Sequence, residues 1–153
     1  MPHRQKISAI ESHLGYWLRF VSNHVSHAFS RKLAARHISV AEWVLMRELF
    51  DRGDIAPNRL ATRMGMTRGA ISKLTDRLVA KSLVTRTTSE DDGRYQHLAL
   101  TKGGQALVPA LAALADQNDA EFFGHLDAAE RKRIADAMKE IVRRREFRGV
   151  PLD

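Results

Sequence analysis

Residues 58–101 read NRLATRMGMTRGAISKLTDRLVAKSLVTRTTSEDDGRYQHLALT. Three positions give the first half its form. Ala61 puts a small side chain where two helices must pass closely, Gly65 supplies a turn residue free to take positive φ, and Ile71 is an apolar anchor on the second helix. This spacing predicts a helix-turn-helix. Thr67 is placed to cap the second helix, since its hydroxyl can accept from free backbone N–H groups, and Arg68, Ser72, Lys73 and Arg77 then project outward. A helix charged in this way suits a DNA major groove. Behind it, residues 83–88 read as a strand, 89–93 as a polar turn and 94–100 as the returning strand, with Leu98 and Leu100 alternating with polar neighbours. A lone hairpin is marginal in water, so this one must lean on the preceding helices, which leaves its tip at residues 90–94 able to touch something else.

Toward the N-terminus, Pro57 is tolerable in the first turn of the helix before the turn glycine, expected over residues 57–64. Ser39 and Glu42 have capping-box spacing. The helix they open is expected to carry Trp43, Val44, Met46, Leu49 and Phe50 inward and to end near Gly53. Residues 7–36 place apolar side chains at Ile10, Leu14, Trp17, Leu18, Val21, Val25, Ala28, Phe29 and Leu33, the three-and-four spacing of one long helix. A second stripe of His13, Trp17, Phe20, His24 and His27 runs beside the first, so this helix should contact more than one neighbour.

That second stripe raises two site hypotheses. His13, Trp17 and Phe20, with Trp43 on the next helix, are candidates to line a cavity for a small aromatic effector; the competing reading is ordinary core. His24 and His27 lie three apart on one helix face and could share a metal, but no carboxylate or cysteine completes a tetrahedral set within the helix. A metal would need a third ligand from elsewhere, such as His37 or His125, so no metal site and no cofactor is assigned.

Toward the C-terminus, Thr101 can cap a helix running through Leu107, Leu111, Leu114 and Ala115 to about Gly124, with Pro109 expected to kink or locally unwind it. Asp127 and Glu130 repeat the capping-box arrangement and open a last helix bearing Ile134, Met138, Ile141 and Val142, with Arg143, Arg144 and Arg145 in its final turn, where cations suit the helix dipole. These two helices have narrow apolar stripes and no core of their own. Residues 7–36 and 102–147 are therefore read as the helices that pair with a second copy, and residues 39–101 as the DNA-binding lobe, within a single domain spanning residues 1–153. The expected fold class is mainly α with a small β-hairpin wing, forming a homodimer.

The totals narrow the function classes. A net charge of +7 in 153 residues, with a pI near 10.2, favours a polyanionic partner. Placement sharpens this, because Arg59, Arg63, Arg68, Lys73, Arg77 and Lys81 face the single acid Asp76 between residues 58 and 81. The absence of cysteine excludes disulfides, thiolate metal sites and thiol redox sensing. No apolar run approaches a bilayer span and no signal-peptide core opens the chain, so no membrane partner is expected and the cytoplasm is the expected location. No Gly-rich phosphate loop, nucleophile elbow or pair of catalytic carboxylates supports an enzyme.

The order of one long helix, a capped helix, a helix-turn-helix, a wing and two closing helices resembles the MarR family of bacterial transcriptional regulators. So does the text MTRGAISKLTDRLVAKSLVTRTTSEDDGRYQHLALTKGG, above all Asp92-Gly93-Arg94 followed by Leu100-Thr101 and Gly103. The resemblance implies a homodimeric winged-helix protein on a pseudo-palindromic double-stranded DNA operator, most simply a repressor released by a small-molecule effector. It implies that Thr67, Arg68, Ser72, Lys73 and Arg77 face the major groove, that Arg86 meets a phosphate, and that Arg94 enters the minor groove with Asp92 holding it. Two positions depart from the pattern. Ser82 stands where the family usually has glycine, which bears on the helix-to-strand turn, and Gly69 weakens the first turn of its helix by up to about 1 kcal/mol relative to alanine. The alternatives are a nonspecific, architectural DNA-binding protein or a metal-responsive regulator.

Overall fold

Side-chain caps set most helix starts in the structure, a computed structural model that describes residues 6–88 and 96–152. Its helices are α1 (Leu14–Ala34), α2 (Val40–Arg52), α3 (Pro57–Met64), α4 (Arg68–Ala80), α5 (Lys102–Phe123) and α6 (Ala128–Arg145). Between α4 and α5, β1 (Val84–Thr88) pairs antiparallel with β2 (Gln96–Leu100) in the register Val84 to Leu100. Ser39 Oγ accepts from the Glu42 N–H while the Glu42 carboxylate accepts from the Ser39 N–H, a complete capping box on α2. Asp127 and Glu130 build the same box on α6, and the hydroxyls of Thr67 and Thr101 cap α4 and α5.

The helix ends share one geometry. His37, Gly65 and Ser82 each take a left-handed φ, of 58°, 62° and 59°. The next N–H then reaches back into the helix, from Ile38 to Leu33 O at 3.1 Å, from Met66 to Ala61 O at 2.9 Å and from Leu83 to Leu78 O at 2.9 Å. The departure at Ser82 therefore changes no turn. Serine adopts the conformation that glycine takes more readily.

Three expectations are corrected. The long first helix starts at Leu14, not near residue 7: Ser12 Oγ donates to Ala9 O at 2.6 Å and His13 takes an extended conformation after a short 3-10 turn, so local side-chain bonds displace the helical ones. Pro109 does not unwind α5, which runs unbroken from Lys102 to Phe123. Pro109 and Gln105 are both exposed, so water can serve the carbonyl that the proline leaves without an N–H partner. Phe50 is 40% exposed, because the inward stripe of α2 is Glu42, Leu45, Met46 and Leu49 and Phe50 falls on its shoulder.

The core gathers Leu33 from α1, Leu45, Met46 and Leu49 from α2, Leu60 and Met64 from α3, Ile71, Leu74 and Leu78 from α4, Val84 and Leu98 from the hairpin, and Val108 and Leu111 from α5. The hairpin leans on it in a way the sequence did not show. Ile55, between α2 and α3, forms a bridge with Leu98, exchanging N–H to O bonds of 3.1 and 2.8 Å. Asn118 of α5 pins α1 by donating to Val25 O at 3.1 Å and accepting from Lys32 Nζ at 3.0 Å. By contrast, α6 has no buried residue, and Leu14, Trp17, Leu18, Phe20 and Val21 of α1 are at least 42% exposed. Among the described residues, no helix is long and apolar enough to cross a membrane.

At the start of α5, a Cβ on Gly104 would lie 2.2 Å from Leu83 O, so backbone meets backbone there with no room for a methyl group. Gly104→Ala is expected to lower stability by about 1–3 kcal/mol. Ser82→Gly is expected to raise it by roughly 0.5–1 kcal/mol, the relief of a left-handed serine less the added freedom of the unfolded chain. Urea denaturation midpoints of the two variants against the parent check both signs.

Candidate nucleic-acid interface

The α3–α4 corner fixes which side of α4 meets solvent. Ala61 is 7% exposed at the helix crossing, Gly65 makes the left-handed turn and Ile71 is 1% exposed between the helices. Ile71, Leu74, Thr75 and Leu78 form the buried face. The Thr75 hydroxyl satisfies itself by donating to Ile71 O at 2.7 Å. At about 3.6 residues per turn, Gly69, Ser72, Lys73 and Asp76 lie opposite that face, with Arg68 and Arg77 on its two shoulders. All six are exposed. Thr67 serves the helix directly, its Oγ1 accepting from the Ala70 N–H at 3.1 Å.

The six cations of residues 58–81 divide into two kinds. Arg63 donates to Glu48 at 2.6 and 3.3 Å, and Lys81 donates to Glu42 Oε2 at 2.7 Å and to His37 O at 2.6 Å. Both tie the helix-turn-helix to α2. Arg59, Arg68, Lys73 and Arg77 make no ion pair among the described residues and present their charge to solvent. Arg86, expected at a phosphate, is turned toward α4 instead, where its guanidinium donates to Asp76 Oδ1 at 2.5 Å and approaches Ser72 O at 3.5 Å. Asp76 was the lone acid of the stretch, and its role is to fasten β1 to the exposed side of α4. Asp92 and Arg94 lie outside the described residues.

The comparisons with known proteins fall on this same region. Residues 38–95 match the family model described as the MarR family. That segment of the chain is similar to the MarR family. Over 88 residues the chain is 30% identical to the HTH-type transcriptional repressor YetL of Bacillus subtilis (strain 168), an alignment covering 56% of the chain; the chain spans about half of YetL, 53% of its length. Its fold is similar to that of Bordetella bronchiseptica BpsR, whose DNA binding is regulated by 6-hydroxynicotinic acid, with a TM-score of 0.74 and 22% identity over 89% of this chain and 97% of that one. It is also similar to a mutant of E. coli MarR complexed with operator DNA, with a TM-score of 0.73 and 24% identity over 84% and 93% of the two chains.

In this chain the four residues considered for an effector do not share one cavity. His13 and Phe20 line a groove along α1 with Ile10, Tyr16 and Arg19. Trp17 is 50% exposed and its indole N–H donates to Glu11 O at 2.8 Å. Trp43 belongs to a separate groove on α2, stacked edge-on with Phe29 at 6.4 Å and covered by the Arg47 guanidinium at 5.9 Å. The histidines also disperse: His24 packs on Phe20 at 5.0 Å, while His27 and His37 line an open cleft between α1 and α2. No group of three or more metal-ligating side chains converges among the described residues.

Two carboxylates set an acid limit on the lobe. Burial pushes Glu42 upward, but the hydrogen bonds from Lys81 and from the Ser39 N–H outweigh it and hold the carboxyl below its ordinary value of 4.5. Hydrogen bonds from Arg63 hold Glu48 below 4.5 as well, against its partial burial. Carboxyls depressed on folding contribute stability that is complete above 4.5 and is lost as pH falls through the lowered values. Urea midpoints should therefore hold above 4.5 and drop below it. Glu42→Gln should start from a lower midpoint at neutral pH and fall less steeply in acid.

Proposed function

We propose that this chain is a MarR-family transcriptional regulator that binds a pseudo-palindromic operator as a homodimer, with α4 in the major groove, and acts as a repressor that a small effector releases. The observation that carries the reading is the exposed side of α4, where Arg68, Ser72, Lys73 and Arg77 project from a helix held rigidly by its cap, its turn and its buried opposite face. Cations at that surface displace counterions from phosphates, and side chains at the helix start reach base edges. Arg86 then acts as a positioning residue, holding the wing against α4 through Asp76. The resemblance assigns Arg94, with Asp92 beside it, to the flanking minor groove.

Pairing is supported by what one chain leaves uncovered. Ile134, Met138, Ile141 and Val142 of α6 are 45–51% exposed and face the same solvent as Trp17, Leu18 and Val21 of α1. A second copy presenting the same faces would bury them, and two-fold symmetry would then set two α4 helices about 34–36 Å apart, one turn of DNA. Repression and an aromatic effector are carried over from YetL's description as a repressor and from BpsR's response to 6-hydroxynicotinic acid. An effector acts by binding more tightly to one spacing of the two lobes than to the other.

Selection of binding sites from a random duplex library, with the mass of the protein in solution measured alongside, tests the reading. The expected result is an inverted repeat with half-sites about one turn apart, bound by a dimer. On that operator, Arg68→Ala should cost about 1–3 kcal/mol and relax base preference within the half-site, whereas Lys73→Ala should weaken all sequences alike and reduce the salt slope by about one. Arg94→Ala should weaken binding most at A·T-rich flanks. Recovery of no motif, with only salt-sensitive binding to any duplex, would favour the nonspecific architectural reading.

A further inference from the structure

The segment that follows α6 is the part of the C-terminal region joined to the core. No residue of α6 is buried, yet beyond it Val150 and Leu152 are half-buried and pack against the same apolar cluster as α2 and α4. The chain is bent to reach it. Glu146 takes a left-handed φ of 54°, with the Phe147 N–H returning to Val142 O at 3.1 Å, and three residues later Gly149 takes a φ of 86°. Glycine adopts that conformation without strain, and glutamate only at a cost. Beyond the second bend, Val150 and Pro151 join Phe29, Trp43, Val44 and Arg47 around an apolar groove of about 380 Å³, and Leu152 enters the adjoining α1–α2 cleft. Gly149 passes beside the helix-turn-helix turn, where a Cβ on it would sit 4.0 Å from Gly65 Cα.

We propose that residues 146–152 form an internal strap that walls one side of the Phe29–Trp43 groove and fastens α6 to the winged-helix lobe. The sequence Gly149-Val150-Pro151-Leu152 suits that role. Its glycine makes the bend, its two aliphatic side chains supply the contact and its proline restricts the chain before it docks, so less entropy is lost on docking. Two partly buried aliphatic side chains favour the docked over the released form by on the order of ten- to a hundredfold. Such a strap is closed at rest and opens without unfolding the lobe. Val150 and Pro151 are one wall of the groove, so release of the strap exposes Phe29 and Trp43 to solvent.

The chain has two tryptophans, and Trp17→Phe leaves Trp43 as the sole reporter of the groove. In that background, Val150→Asp with Leu152→Asp is expected to shift Trp43 emission to the red, increase its quenching by acrylamide and raise the fluorescence of added 8-anilinonaphthalene-1-sulfonate several-fold. Adding Trp43→Ala should remove the gain in dye fluorescence. The alanine pair at Val150 and Leu152 should move each signal the same way by less, which keeps the test open if the aspartates unfold the chain. Unchanged emission, quenching and dye binding in variants whose far-ultraviolet circular dichroism matches the parent would overturn the proposal. No DNA takes part in these readouts, so failure here leaves the operator reading as it stands.

Discussion

The carboxylate of Glu42 joins three elements that are far apart in the chain. It is 4% exposed, accepts from the Ser39 N–H at the start of α2 and accepts from Lys81 Nζ at the end of α4. Lys81 in turn donates to His37 O in the corner that closes α1. Removing Lys81 would leave the buried Glu42 carboxylate without its cation, whereas Lys81 itself is partly exposed to solvent. The α1–α2 corner and the end of α4 are therefore fixed to one another, and the exposed side of α4 takes its orientation from this join. Glu48 with Arg63 repeats the arrangement further along α2, against α3.

What was legible in the sequence was local. Ser39 with Glu42, Asp127 with Glu130, Thr67, Thr101 and Gly65 all act within a few residues, so spacing alone places them, and the structure puts each where its spacing requires. The outward projection of Arg68, Ser72, Lys73 and Arg77 follows from the apolar period of α4 in the same way. What was not legible depends on partners at a distance. Arg86 meets an acid ten residues away, Arg63 one fifteen away and Lys81 one 39 away, and no periodicity reports such pairings. Trp43 was grouped with His13, Trp17 and Phe20 because helical stripes show which side chains share a face, not where two helices cross. Gly104 did leave a signal, the second glycine of the Gly103-Gly104 pair, but its need for space appears only once Leu83 O is seen against it.

Exposed charge on α4 and exposed apolar side chains on α1 and α6 have different surroundings. Cations that could have gathered around α4 are partly withdrawn into structural pairs, and those left outward form a narrow band bordered by the Asp76–Arg86 join. A band of this kind supplies base-independent attraction, and Asp76 within it is neutralised by Arg86. The exposed apolar side chains lie instead on α1 and α6, where the chain carries little core of its own.

Gly104 and Asn118 sit on the same helix, and together they make α5 a brace. Its first turn is seated without clearance against the end of β1 through Gly104, and its far half is pinned to α1 through Asn118. Twenty-two residues of helix span roughly 33 Å. A helix held at both ends over that length keeps the angle between α1 and the winged-helix lobe fixed.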